Sequence, residues 1–226
     1  MQAMVEFWKG FRLLPSAWLL FLQLIMLILS MLSNHSLSLR VVVWGLGVLV
    51  LLLIAKVIRQ TPVFTILGLG TVVAALFFSL LILVGIRHPM LLVMSHAFEA
   101  LAYFMAAYGL LRYMFSDRYL TKDELFAAGA VFTLLAWGFA FLYSICQILQ
   151  PNSFLNPNLS GPQSWLDLLF LSFSLQSATG LSDLMPLSPM ARVIAMLQMF
   201  GGVMYLALIV SRLIALQYIQ HKPKDD

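Results

Sequence analysis

The succession of long apolar runs constrains this chain more than any other feature of its sequence. A run of about eighteen residues or more, rising about 1.5 Å per residue as a helix, crosses a hydrocarbon core of roughly 30 Å. Six runs reach that length: Pro15 to Ser33, Leu39 to Ile58, Val63 to Ile86, Pro89 to Phe115, Lys122 to Gln150 and Pro189 to Gln217. Hydrophobic residues make up 62% of the chain and charged ones only 10%, whereas a soluble domain carries about a quarter charged. The expectation is an all-α membrane protein with six transmembrane helices in a lipid bilayer. Turn and cap residues separate the runs. Thr121 and Glu124 stand at capping-box spacing before the fifth, and Ser188 with Pro189 makes a cap and first-turn pair before the sixth.

Basic residues set the expected orientation, because Lys and Arg beside span ends are retained on the cytoplasmic side. With the N-terminus inside, Lys9, Arg12, Lys56, Arg59, Arg112, Arg118, Lys122, Arg212, Lys222 and Lys224 fall inside, and Arg40, Arg87 and Arg192 outside. Both termini are therefore expected in the cytoplasm of a multi-pass protein of the cell (inner) membrane, with Pro151 to Ser188 facing out. The first apolar run is of spanning length and reads as an uncleaved helix rather than a signal peptide. The net charge of +4 follows from the loop bias and requires no nucleic-acid partner. The sequence lacks a glycine-rich phosphate loop, a nucleophile elbow and His/Cys metal spacing, so it reads as a non-enzyme without a cofactor. A single cysteine, Cys146, allows no intrachain disulfide.

The stretch before the last run is the most informative. After a Pro-, Asn- and Ser-rich loop, "SWLDLLFLSFSLQSA" is too short to span and reads as a re-entrant helix. Ser164 and Asp167 have N-cap spacing at its start, although Asp167 could equally brace the loop that follows. The polar run "SATGLSD", Ser177 to Asp183, then returns toward the surface. Backbone that is not helical is tolerated at membrane depth only where it is buried in protein or lines a watery cavity, and a cavity ringed by carbonyls is how an ion filter is made.

These residues carry a resemblance. "LFLSFSLQSATGLSDLMPLSPMARVIAMLQMFGGVMYLALIVSRLIAL" resembles the pore module of the bacterial two-helix potassium-channel family. Phe170, Ser172 and Phe173 fall on the pore-helix pattern, Gly180 on the first filter glycine and Asp183 on the acid after the filter. Pro186, Pro189, Ala191 and Arg192 match the link to the inner helix, and Gly202, Tyr205, Leu206 and Ala207 the inner-helix run. The resemblance covers roughly Thr121 to Leu216. It implies a pore domain at 121–217, preceded by a four-helix membrane domain at 1–120 and followed by a short cytoplasmic tail at 218–226. It further implies a filter at Ser177, Ala178, Thr179, Gly180, Leu181, Ser182 and Asp183, pore-helix positions Asp167 and Phe173, and pore-lining positions Gln198 and Tyr205.

The chain departs from the family where the filter is built. Thr, Val, Gly, Tyr, Gly is replaced by Ala178, Thr179, Gly180, Leu181, Ser182. Ala178 lacks the hydroxyl of the innermost site, Leu181 lacks the tyrosine hydroxyl that braces the filter from behind, and Ser182 stands where a glycine would take a positive φ. Potassium selection needs a stack of supported carbonyl rings, so these losses point to a weakly selective filter. Gln198 replaces a Glu that many members carry, and Asp183 either collects cations at the mouth or caps the turn.

The remaining polar residues have competing readings. Gly201 and Gly202 lie mid-helix, where Gly costs about 1 kcal/mol relative to Ala; they act as a gating hinge or as a close-packing point. His96 and Glu99 share one face of the fourth span and form either a structural pair or a proton-sensing pair. Gln23 reads as an interhelical hydrogen-bond partner. Voltage sensing needs several basic residues on the fourth span, and only Arg112 is there. One pore loop cannot enclose a filter, so a homotetramer is expected, passing monovalent cations (K and Na). The alternative is a non-conducting scaffold or accessory subunit that keeps the pore fold. A proton-coupled transporter using His96 and Glu99 would require interrupted, repeated helices, which the sequence lacks.

Overall fold

The computed structural model describes residues 15–32, 47, 49–50, 65–85, 88–116, 122–157 and 161–220. They form six helices: α1 (Pro15–Leu32), α2 (Thr65–Leu83), α3 (Pro89–Ser116), α4 (Lys122–Leu149), α5 (Trp165–Gln176) and α6 (Pro189–Gln220). A short antiparallel pair, β1 (Phe154–Leu155) with β2 (Met185–Pro186), aligns Phe154 with Pro186 and Leu155 with Met185. The expected second span, Leu39 to Ile58, lies outside the described residues except for 47, 49 and 50, which are helical. Thr121 also lies outside them, as do residues 221–226 of the expected tail, whereas 218–220 continue α6. Among the described residues, three helices are long and apolar enough to cross a membrane: Pro89–Phe115, Asp123–Leu149 and Pro189–Ala215. Shorter apolar helices make up the rest.

Helix α4 is the hub, packed by α1, α3, α5 and α6, while α2 packs on α3. Apolar surface gives helices no reason to associate within lipid, so close approach of backbones and interhelical hydrogen bonds must do it. The sequence supplies both. Ala127, Ala130, Ala136 and Ala140 on α4 and Ala102, Ala106 and Ala107 on α3 are buried small residues. A Cβ at Gly138 would sit 3.1 Å from the Phe104 ring, so α3 and α4 touch closely there. Thr133 Oγ1 donates to Gln23 Oε1 at 2.6 Å, giving Gln23 the interhelical partner expected of it.

At the Lys122 end of α4, two acids bind two different helices. Ser16 donates its N–H and Oγ to the carboxylate of Asp123, at 3.3 and 3.0 Å, and so fastens α1. Glu124 receives Arg212 Nη2 from α6 at 3.3 Å, and the Arg212 guanidinium lies over the Phe115 ring of α3. At the opposite end, the carbonyl of Ser153 accepts from Leu187 N at 2.8 Å and Ser188 N at 3.3 Å. The strand pair and these bonds clamp the end of α4 to the start of α6, the two points between which α5 and its following loop run in the chain. Ser188 caps α6 as its sequence predicts, its Oγ accepting from Ala191 N at 3.2 Å.

Candidate functional site: the loop after α5

Helix α5 begins with a complete capping box. Ser164 Oγ accepts from Asp167 N, and Asp167 Oδ2 accepts from Ser164 N at 3.1 Å and from Ser164 Oγ at 2.7 Å. Asp167 is thereby assigned to the helix start, at the opposite end of α5 from the Ser177–Asp183 loop. Phe173 packs its ring on Phe132 of α4. Leu168, Leu169, Leu171, Ser172, Ser174, Leu175 and Gln176 are buried, so α5 is held in protein on most of its circumference.

The end of α5 shapes the loop. Ser177 is the C-cap, and Ala178 takes a left-handed φ of 58°. Ala178 N donates to Leu175 O at 3.2 Å and Thr179 N to Ser174 O at 3.1 Å, the bond pair of a Schellman helix end, in which the left-handed position normally goes to glycine. Gly180 follows with φ 65°. Ser174 is the anchor of the whole turn: its carbonyl also receives Gly180 N at 3.3 Å and Thr179 Oγ1 at 3.4 Å, and its hydroxyl accepts Ser182 N at 3.1 Å. Ser177 Oγ and Thr179 Oγ1 are 3.0 Å apart, and Ser182 Oγ accepts from Leu184 N at 3.2 Å. Ala178, Thr179, Gly180, Leu181 and Asp183 are exposed on the single chain.

Two expectations about this loop are corrected. Ser182 does not take a positive φ; among the described non-glycine residues only Asn152 and Ala178 do, so the backbone strain sits at Ala178. Support from behind does not depend on position 181, since Leu181 is 70% exposed and Ser174 holds the loop in its place. Sequence reading missed Ser174, whose signal was a serine in an apolar helix that could have been read as a satisfied surface residue.

Gln198 and Tyr205 also differ from expectation. On α6 the buried positions are Ala191, Ala195, Gln198, Gly202, Tyr205 and Ile209, a stripe spaced alternately by three and four residues that faces α4 and α5. Both side chains point along that stripe and away from the exposed face of α6. Tyr205 OH donates to Ala128 O. Gln198 is the centre of a buried polar cluster. Its Oε1 accepts from Tyr143 OH at 2.6 Å, and its Nε2 donates to Ser172 O at 3.0 Å, to Ser172 Oγ at 2.6 Å and to Gln176 Oε1 at 3.3 Å. Ser172 Oγ in turn donates to Ala136 O at 2.6 Å. Buried hydrogen bonds of this kind rigidify a core, and the cluster joins α4, α5 and α6 directly behind the loop, with Gln176 Nε2 left as its one buried atom lacking a partner.

Gly202 belongs to the same contact. A Cβ there would lie 2.6 Å from the Gln176 carbonyl oxygen and 3.1 Å from its Cα, while a Cβ at Gly201 would meet nothing within 4 Å. Packing against the last turn of α5 is thus the reason for Gly202, and α6 runs as continuous helix through both glycines. His96 and Glu99 lie on α3, paired at 3.0 Å.

Three apolar helices long enough to cross a membrane, packed with a short helix and the polar loop that follows it, define the class: a helical membrane protein. Residues 129–217 match a family model described as Ion channel. The matched stretch runs from within α4 through most of α6, less than half of the chain, and it contains the whole Ser177–Asp183 loop. This stretch of the protein is thus similar to an ion channel. No curated protein and no solved structure matches the chain.

Proposed function

We propose that the protein is the subunit of a tetrameric, weakly selective cation channel, with Ser177–Asp183 from four copies forming the constriction. The reading rests above all on the loop folded back onto Ser174, in the stretch of the chain that matches the ion-channel family. Thr179 and Ser182 bring hydroxyls, Gly180 lets the backbone turn, and Asp183 adds one negative charge per copy, all of which favour cations over anions. The loop turns immediately at Ala178 and spends the N–H groups of Thr179, Gly180 and Ser182 on one serine. It therefore offers few stacked carbonyl rings and little basis for separating potassium from sodium. The exposed apolar face of α6, including Val193, Leu197 and Phe200, is where the neighbouring copies and the path would lie. In this reading both termini are cytoplasmic, in keeping with the distribution of Lys and Arg.

Bi-ionic reversal potentials of the purified protein in planar bilayers test it. Sodium and potassium are expected to permeate within about tenfold of each other, a difference below about 1.4 kcal/mol. A potassium preference above about a hundredfold, roughly 2.7 kcal/mol, refutes the weak filter, and silence under every stimulus refutes conduction.

A further inference from the structure

His96 and Glu99 sit in a cluster that the pore does not use. Glu99 Oε2 is 3.0 Å from His96 Nδ1, and Glu99 Oε1 accepts from Ser79 Oγ on α2 at 2.9 Å and from Ser95 Oγ at 3.5 Å. The two side chains are 24% and 15% exposed, so the pair is enclosed by helices without being sealed. The face of the imidazole is stacked on Phe141 of α4, with centroids 5.6 Å apart and planes inclined by 30°. Phe141 in turn meets Trp165 at 4.6 Å, and Trp165 is the first residue of α5. Two ring contacts therefore run from an ionisable pair on α3 to the first turn of the helix whose last turn carries Ser174 and the loop.

We propose that His96 and Glu99 form a proton-binding regulatory site, read by α5 through the Phe141–Trp165 contact; the consequence for current rests on the channel reading above. The chemistry is a change of charge at a ring face. A neutral imidazole can give Nδ1–H to the carboxylate of Glu99. Protonation at Nε2 makes it a cation facing the π-electrons of Phe141, which attract it more strongly, and its second N–H acquires the need for an acceptor. Both changes act on the position of Phe141, and Trp165 lies against that ring. The titratable neighbours are Glu99 and Tyr103 from α3 itself. The packing elements α2 and α4 present the Ser79 hydroxyl and the Phe141 ring, and α5 presents Trp165. Asp167, two residues further on, has its carboxylate occupied by Ser164. Helix α5 spans only twelve residues, a rigid piece about 18 Å long, so a tilt at its first turn reaches the loop.

The test combines currents and tryptophan emission, both titrated from about pH 5 to 8, the range in which histidine changes charge. Wild type is expected to show a severalfold change in current and a step in emission. His96→Gln should keep the hydrogen bond to Glu99 and lose both responses. Phe141→Leu should leave the pair in place and lose both, because the ring contact is gone. A wild-type emission that stays flat, or a step that survives in His96→Gln, overturns the proposal whether or not the protein conducts. A step that His96→Gln removes, in a protein passing no current at any pH, upholds the coupling to α5 and refutes only the channel reading. A conducting wild type whose current ignores pH overturns the proposal.

Discussion

The substitution Gly202→Ala isolates the contact that seats α6 against the last turn of α5. A methyl group there would sit 2.6 Å from Gln176 O, 3.1 Å from Gln176 Cα and 3.2 Å from Gln176 C. An ordinary C···O contact is about 3.3 Å or longer, so α5 and α6 must separate by about 0.7 Å. The obstructing atoms are backbone, at the helix end from which the loop departs, and cannot rotate away. Overpacking of this kind costs about 1–3 kcal/mol, against which Ala recovers up to about 1 kcal/mol of helix propensity. Gly201→Ala supplies the internal control, because it has the same propensity gain and meets no atom within 4 Å on the chain. Subtracting one from the other cancels propensity and leaves the steric cost: Gly202→Ala should be less stable than Gly201→Ala by about 1–3 kcal/mol. Denaturant or thermal unfolding of the two variants in detergent, side by side with wild type, measures the difference. Equal stabilities would refute the idea that Gly202 is required by the α5 contact.

Three further substitutions probe the loop and what stands behind it. Ser174→Ala removes the acceptor of Ser182 N while leaving the Ser174 carbonyl in place; a loss of about 1 kcal/mol in unfolding experiments, with a shift in reversal potential, is expected. Ala178→Thr, a step toward the potassium-channel filter, would place a β-branched residue in the left-handed region, where it is a genuine outlier; it should lower stability by about 1 kcal/mol or more rather than sharpen selectivity, and a more potassium-selective, equally stable variant would contradict the assigned helix end. Gln198→Leu leaves Tyr143 OH and Gln176 Oε1 without the partners they have here, at about 1–3 kcal/mol for each buried group, so the melting temperature should fall further than for Gln147→Leu, a residue near the end of α4 whose amide bonds only the backbone N–H and C=O of Gln163, at 3.0 and 3.2 Å, in a partly buried contact.

Much of this architecture can be read from residues close together in the chain. Long apolar runs announce helices because backbone groups in lipid must be satisfied within the segment itself. The Ser164–Asp167 box and the Ser188 cap are local bonds, spanning three residues each, so their spacing is legible without knowing the fold. The polar run Ser177–Asp183 likewise marks the place of the loop. Tertiary structure decided the contacts that no local pattern encodes. Tyr143 meets Gln198 across 55 residues, Thr133 meets Gln23 across 110 and Arg212 meets Glu124 across 88, and each pairing depends on which helix lies beside which. The rotation of α6 about its axis sent Gln198 and Tyr205 inward with Gly202, because those three positions share one stripe and the backbone contact at Gly202 leaves α6 a single way to face α5. The same holds for Ala178: its left-handed backbone follows from how α5 ends on Ser174 between α4 and α6, a matter of packing that an alanine in a sequence does not disclose.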